Sequence, residues 1–265
     1  MMRSSDIKPK KSLGQNFLIN QGVLEKIVRA AEVGPEDIVV EVGPGTGNLT
    51  KKLSEKAKRV IAIEKDRRLI EDLKEKFKNS NIEIIEGDIL KFDPSRYSLV
   101  ASGYKIVANI PYYITSNFIR IIFENWPRPK LIVLTIQKEV AQRIVARPPN
   151  MNLLALSVQL YSDPKIVSYV SKGSFRPIPK IDSAVIKLTT HNQQLTTSEK
   201  DNFFKLTKAG FSGKRKQLIN NLIKNFGMIR EDMSKMFERI GVRQDARAES
   251  LSLEQWKKLI NYIKK

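Results

Sequence analysis

Ile38-Val39-Val40-Glu41-Val42-Gly43-Pro44-Gly45-Thr46-Gly47-Asn48-Leu49-Thr50 is an apolar, β-branched run that breaks into three glycines at alternate positions and then turns amphipathic. Short runs of this kind read as buried parallel strands. Four more follow, at residues 60–63, 82–85, 105–108 and 131–136. Between them lie helical patterns, such as residues 69–77. Strand, helix and strand repeated over residues 36–137 predict a doubly wound, Rossmann-like α/β sheet. A helix around residues 23–31 precedes the first strand. Two later runs, 166–170 and 184–188, flank a proline-rich loop and are placed to add an antiparallel edge.

The rest of the chain differs. Residues 189–197 are polar and read as a linker, and no proline follows Pro179. Short helices separated near Gly210, Gly227 and Gly241 fill the remainder. The last opens with a capping box, Ser252 with Gln255. Leu253, Trp256, Leu259, Ile260 and Ile263 then form one apolar face. Two domains are expected: residues 1–190, an α/β domain, and residues 191–265, a small all-helical one.

Composition narrows the function. Of 265 residues, 41% are hydrophobic, which suits a globular chain. No apolar run approaches the ~18 residues of a membrane span. The first residues lead into lysines rather than an apolar core, so no secretory signal is expected. There is no cysteine, which excludes disulfides and thiolate metal sites and points to the cytoplasm. The one histidine, His191, sits in the linker, so no zinc site is expected. Formal net charge is +19 and the pI about 9.9. Such a field attracts polyanions, nucleic acid first and an anionic membrane surface second. The bland alternative is a solvated, salt-bridged surface. Residues 191–265 carry 16 basic against 8 acidic residues, so positive charge is densest there.

The glycines at 43, 45 and 47 allow a tight turn and close approach of a ligand to the backbone. The spacing is G-x-G-x-G rather than the G-x-G-x-x-G of dinucleotide binders, so a pyrophosphate is not the obvious guest. A glycine turn without a ligand is the alternative. Glu64 ends the second strand, where an acid accepts hydrogen bonds from both ribose hydroxyls of an adenosine moiety. Asp88, followed by Ile89, ends the third, where a carboxylate accepts from an adenine amino group. A plain helix cap is the competing role for Asp88.

The fourth strand ends Ala108-Asn109-Ile110-Pro111-Tyr112-Tyr113. The Asn109 side-chain oxygen and the Ile110 carbonyl offer two acceptors side by side. Pro111 fixes the turn that aims that carbonyl inward. Tyr112 offers a flat face on which an unstacked base can lie. This suits an exocyclic amine such as adenine's, whose lone pair is delocalised into the ring and whose protons must be held for it to react. An ordinary proline turn is the alternative.

At this point the chain resembles the ribosomal RNA adenine dimethyltransferases. Asn109-Ile110-Pro111-Tyr112 is similar to the adenine-N6 methyltransferase motif. Residues 11–18, Lys-Ser-Leu-Gly-Gln-Asn-Phe-Leu, resemble the family's N-terminal signature, and residues 41–47 its cofactor loop. Residues 174–185 resemble its late F-x-P-x-P segment, and residues 209–218 the start of its helical C-terminal domain. The five segments are in order and span nearly the whole chain. The resemblance implies a methyltransferase using S-adenosyl-L-methionine. It implies a pocket drawing on Gln15, Asn16, Leu18, Gly43, Gly45, Glu64, Asp88, Ile89 and Asn109. It adds Phe175 as a second aromatic face opposite Tyr112; read without the family, Phe175 is as readily core.

Two family branches compete. One dimethylates two adjacent adenines near the 3′ end of small-subunit ribosomal RNA. The other dimethylates one adenine of large-subunit RNA and confers macrolide resistance. The form of residues 13–17 and the long basic helical tail favour the first. A non-catalytic RNA-binding assembly factor is a third reading, against which the intact loop and Asn109 motif speak. The expected partner is ribosomal RNA within the small subunit, with no metal, no membrane and a monomeric protein. Lys8, Lys10 and Lys11, with Lys214, Arg215 and Lys216, are expected to touch RNA phosphates; for the second cluster a solvated helix end is the alternative.

Overall fold

The computed structural model describes residues 8–101, 103–191, 196–213 and 215–263. It divides into two compact units. The first runs to residue 141 and takes in 163–190. The second holds residues 142–162 and 191 onward. The linear boundary expected after residue 190 therefore has to release 142–162 to the helical unit.

In chain order the elements are β1 (Phe17–Leu18), α1 (Gln21–Ala30), β2 (Ile38–Val42), α2 (Asn48–Ser54), β3 (Arg59–Glu64), α3 (Arg67–Lys76), β4 (Ile82–Glu86), β5 (Tyr104–Asn109), α4 (Thr115–Asn125) and β6 (Leu131–Gln137). Then come α5 (Lys138–Ile144), α6 (Leu153–Gln159), β7 (Ser162–Val170), β8 (Phe175–Arg176) and β9 (Ser183–Thr190). The chain ends with α7 (Thr197–Gly210), α8 (Leu218–Phe226), α9 (Arg230–Arg239) and α10 (Leu253–Ile263).

The seven-stranded sheet has the order β4-β3-β2-β5-β6-β9-β7. β3 pairs with β4 and β2, and β5 with β2 and β6, all parallel. β9 runs antiparallel to β6, and β7 lies beyond it as the edge strand, so the two later runs do extend the sheet on this side. The inner strands are covered on both faces. Val39, Val40, Ile61, Ala62, Ile106 and Val107 are all fully buried, which is why these strands read as unbroken apolar runs rather than alternating ones. Edge strand β4 is only half-buried, and its sequence alternates Ile82-Glu83-Ile84. A separate two-stranded ribbon pairs β1 with β8 antiparallel, Leu18 opposite Phe175.

The helices start where their sequences offer caps. The Asn20 side chain accepts from the Val23 N–H at the head of α1, and the Asp66 side chain from the Arg68 N–H at the head of α3. From β2 the chain moves outward through β3 to β4, then returns to lay β5 on the other side of β2. The order reverses between β2 and β5, and the crevice at the carboxyl ends of strands beside such a reversal is where open α/β sheets take ligands.

The second unit is helical. Trp256, Phe203 and Phe237 are fully buried within it. The Ser252–Gln255 capping box forms in both directions at the head of α10, with the Gln255 N–H donating to Ser252 Oγ at 3.2 Å and the Ser252 N–H to Gln255 Oε1 at 3.0 Å. Asn221 is buried in α8, and its Nδ2 donates to the carbonyls of Gly210 and Gly213 at 2.7 and 3.2 Å. That pair of bonds fixes the turn leading to Arg215 and Lys216.

Candidate active site

A cleft of about 780 Å³, mouth included, opens at the carboxyl ends of β2, β3, β4 and β5. Each strand end delivers one part of its wall.

The loop after β2 gives Gly43 and Gly45, at φ of 66° and 58°. A side chain on Gly45 would start 2.7 Å from the Phe17 ring, so only glycine lets the N-terminal segment close over the loop. A Cβ on Gly43 would meet nothing within 4 Å. The space over that backbone is open to the cleft.

β3 ends in Glu64, which is 5% exposed. The Gly45 N–H donates to its Oε2 at 3.1 Å and the Asp66 N–H to its Oε1 at 2.8 Å. Burial pushes the carboxyl above the usual range, opposed by these backbone donors. Each oxygen keeps a lone pair for a further donor.

Past β4, Asp88 and Ile89 line the cleft. Asp88 is both cap and wall: Oδ1 accepts from the Leu90 N–H at 3.0 Å, and Oδ2 from Lys65 Nζ at 2.8 Å. Burial alone would raise its pKa, but the Lys65 ammonium and the Leu90 N–H hold it below the ordinary value.

β5 ends in Asn109. Its Nδ2 donates to the Asn16 carbonyl at 3.0 Å. A primary amide that gives its nitrogen to one neighbour turns its oxygen the other way. Ile110, Pro111 and Tyr112 continue the wall. The Tyr112 hydroxyl lies 2.6 Å from Ser183 Oγ, which fixes the ring, and burial raises its pKa.

The outer wall comes from the N-terminal strap, where Leu13, Gly14, Gln15, Asn16 and Phe17 face the cleft. Leu18 lies outside the main cleft. It borders an adjoining chamber shared with Gly43, Gly45, Asn48 and Asn109, and its carbonyl accepts from Asn48 Nδ2 at 3.4 Å.

Phe175 requires a correction. It is 1% exposed and does not line the cleft. Pairing of β8 with β1 draws it into the apolar cluster that includes Leu18, Leu24, Val133 and Val185. The aromatic residues that do line the cleft are Tyr112, Tyr113 at the exposed rim, and Phe17 of the strap.

Lys8, Lys10 and Lys11 are exposed on the strap. Arg215 and Lys216 are exposed in the turn before α8, not within the helix itself, and Lys214 lies outside the described residues. Among the described residues, no helix is long and apolar enough to cross a membrane. No group of three or more His, Cys, Asp or Glu converges among them to hold a metal ion.

The family model for ribosomal RNA adenine dimethylase matches residues 7–265. The chain belongs to this family. Among the dimethylase's relatives, the ribosomal RNA small subunit methyltransferase A of Dehalococcoides mccartyi is 45% identical over 98% of this chain and 90% of its own. The protein of the same name from Clostridium botulinum is 41% identical over 97% and 95%. Of solved structures, a dimethyladenosine transferase from Plasmodium falciparum superposes with a TM-score of 0.79 at 31% identity, covering 94% of this chain and 98% of its own. The 23S rRNA methyltransferase ErmE does so at 0.80 and 26%, covering 94% and 100%.

Sequence reasoning missed three residues of this dimethylase. Asp66 and Arg68 tie the strap to β3, and Glu41, 1% exposed, borders the chamber beside Gly43 with its Oε2 unpaired. Glu41 gave a signal, because a carboxylate inside an apolar strand is expensive unless it has a task. Asp66 and Arg68 gave none beyond a helix cap.

Proposed function

We propose that this chain methylates the N6 amine of adenine in ribosomal RNA, adding two methyl groups to each of two adjacent adenines near the 3′ end of the small-subunit RNA. S-adenosyl-L-methionine is its methyl donor. The observation that carries the reading is the Asn109 amide, bonded through Nδ2 to Asn16 with no hydrogen on its Oδ1, in the lining of the cleft beside Ile110, Pro111 and Tyr112.

The cleft fits the cofactor. Open space over Gly43 admits a ligand against the backbone. Glu64 keeps a lone pair on each oxygen for the two ribose hydroxyls. Asp88, with Ile89, receives the adenine amino group. Gln15 and Asn16 close the outer side, with Leu18 and Asn109 toward the methionine end. When bound, the cofactor supplies an electrophilic methyl group on a sulfonium.

The protein's own residues prepare the amine. Asn109 Oδ1 and the Ile110 carbonyl accept the two N6 hydrogens. Holding them draws the nitrogen lone pair out of the ring and toward the incoming carbon. Tyr112 stacks the base, which has left its helix to reach the cleft. Transfer would form the N–C bond as the C–S bond to the methyl group breaks, leaving a neutral thioether, and the proton lost by the amine would pass to solvent. After the first transfer one acceptor must release its hydrogen, so a monomethyl species precedes the dimethyl product.

Affinity for a large RNA comes from phosphates. Exposed Lys8, Lys10, Lys11, Arg215 and Lys216, with Lys214, are the residues assigned to them. The protein acts in the cytoplasm, on RNA assembled in the small subunit. The 41–45% identity to small-subunit enzymes supports this branch. The fold match to a 23S rRNA methyltransferase keeps a large-subunit adenine as the second reading. Transfer of labelled methyl groups to purified small and large subunits, followed by mapping of the modified base, separates the two.

A further inference from the structure

The strap that walls the cleft has little apolar anchorage before Phe17. None of residues 8–17 is buried. Besides the Asn109–Asn16 bond and the pairing of Phe17 with β8, a polar network centred on Asp66 holds it. The Asp66 side chain is fully shielded from solvent. Its carboxylate accepts from Gln15 Nε2 at 2.8 Å, from Arg68 Nε at 2.9 Å and from Arg68 Nη2 at 2.6 Å, with Lys10 Nζ at 3.7 Å. Arg68 reaches on with Nη1 to the Lys8 carbonyl at 3.1 Å. Gln15 turns its Oε1 to the Lys10 N–H at 2.6 Å. The strap is thus pinned at residues 8, 10 and 15. Asp66 also holds Glu64, through its own N–H. Neither Asp66 nor Arg68 lines the cleft.

We propose that Asp66 and Arg68 are positioning residues that lock the strap as the outer wall of the cleft, and so set how tightly the cleft retains its cofactor. The inference rests on reading the cleft as a cofactor site. Both charges of the pair are committed within the network, and a bidentate guanidinium–carboxylate fork is geometrically specific. A ligand inserted between Gln15 and Glu64 meets two groups whose places are fixed by one carboxylate. Loosening that carboxylate frees the wall without removing any group that touches the ligand.

The test uses the full chain as Asp66→Asn, Arg68→Ala and Arg68→Lys, with S-adenosylhomocysteine as the binding probe. Calorimetry should show S-adenosylhomocysteine affinity reduced about tenfold or more for Asp66→Asn and Arg68→Ala, with Arg68→Lys in between. Trypsin should cut after Lys10 or Lys11 faster in Asp66→Asn and Arg68→Ala than in the parent, and the probe should protect them less. Where methyl transfer is measurable, KM for the cofactor should rise while kcat at saturation changes less than about threefold. Thermal melting distinguishes a local effect from a folding failure. Should Asp66→Asn not fold, the exposed Arg68→Ala carries the test. Parental probe affinity and parental cleavage rates in a folded Arg68→Ala overturn the proposal. A parent that binds S-adenosylhomocysteine yet methylates no RNA overturns the functional reading and leaves this one standing on its binding and cleavage data.

Discussion

The Asn109 side-chain amide donates to the backbone carbonyl of Asn16, a residue 93 positions earlier, at 3.0 Å. One bond thus joins the end of the fourth parallel strand to the N-terminal strap. It also sets which way the amide faces. Asn109→Ala removes the acceptor that holds the target amine. Single-turnover transfer should fall by on the order of a hundredfold, the cost of losing one preorganised polar partner at a reacting centre. RNA should still bind in a filter assay. If weaker RNA binding alone accounts for the lost rate, Asn109 has no part in the chemistry.

Glu64 makes the cleft sensitive to pH. Burial raises its pKa in the free protein, and ribose hydroxyls favour the ionised form because it only accepts. Cofactor affinity should therefore fall as acid protonates Glu64, beginning above the ordinary carboxylate value. Glu64→Ala should weaken S-adenosylmethionine binding by about 1–3 kcal/mol and abolish that pH dependence. Calorimetry across the acid range checks both, and a variant with parental affinity takes Glu64 out of the site.

Glu41 predicts a different pH effect, on stability. Burial pushes its carboxyl up to about 8, with the Glu64 charge adding to the rise. The unfolded chain releases this proton near the ordinary value of 4.5. Between those two values the folded state holds a proton that the unfolded state has lost. Stability is then full below the lower value and declines as pH rises through the window, by up to ~1.4 kcal/mol per pH unit. Glu41→Gln is neutral throughout and should flatten that decline. Urea unfolding midpoints from pH 5 to pH 8 check it; parallel curves for parent and variant contradict it.

Much of the first unit was legible in the sequence, because its inner strands are covered on both faces. The β-branched runs at 38–42 and 105–108, the glycine loop and the acids at the strand ends all mark themselves locally. The Ser252–Gln255 box was legible for the same reason. What was not legible depends on partners far apart in the chain. Gln15 meets Asp66 across 51 positions, and nothing near either residue foretells it. Phe175 reads as site or core with equal ease until the β1–β8 ribbon places it inside. Residues 142–162 join the helical unit although they lie between two strands of the sheet.

Arg215 and Lys216 stand exposed in a turn that Asn221 fixes through Gly210 and Gly213. Changing both to Ala should leave cofactor binding unaltered. The slope of log RNA affinity against log salt should flatten by ~0.7–0.9 for each phosphate that is no longer neutralised. A parental slope and parental affinity would show that the pair only faces solvent.

The most direct test is mass spectrometry of nuclease-derived oligonucleotides from small ribosomal subunits that lack the modification, after incubation with the chain and S-adenosylmethionine. The expected product is N6,N6-dimethyladenine at two adjacent positions near the 3′ end, with monomethyladenine appearing first and both species forming about a hundredfold more slowly with Asn109→Ala. Dimethyladenine found only when large-subunit RNA is supplied, or formation at the parental rate with Asn109→Ala, would contradict the assignment.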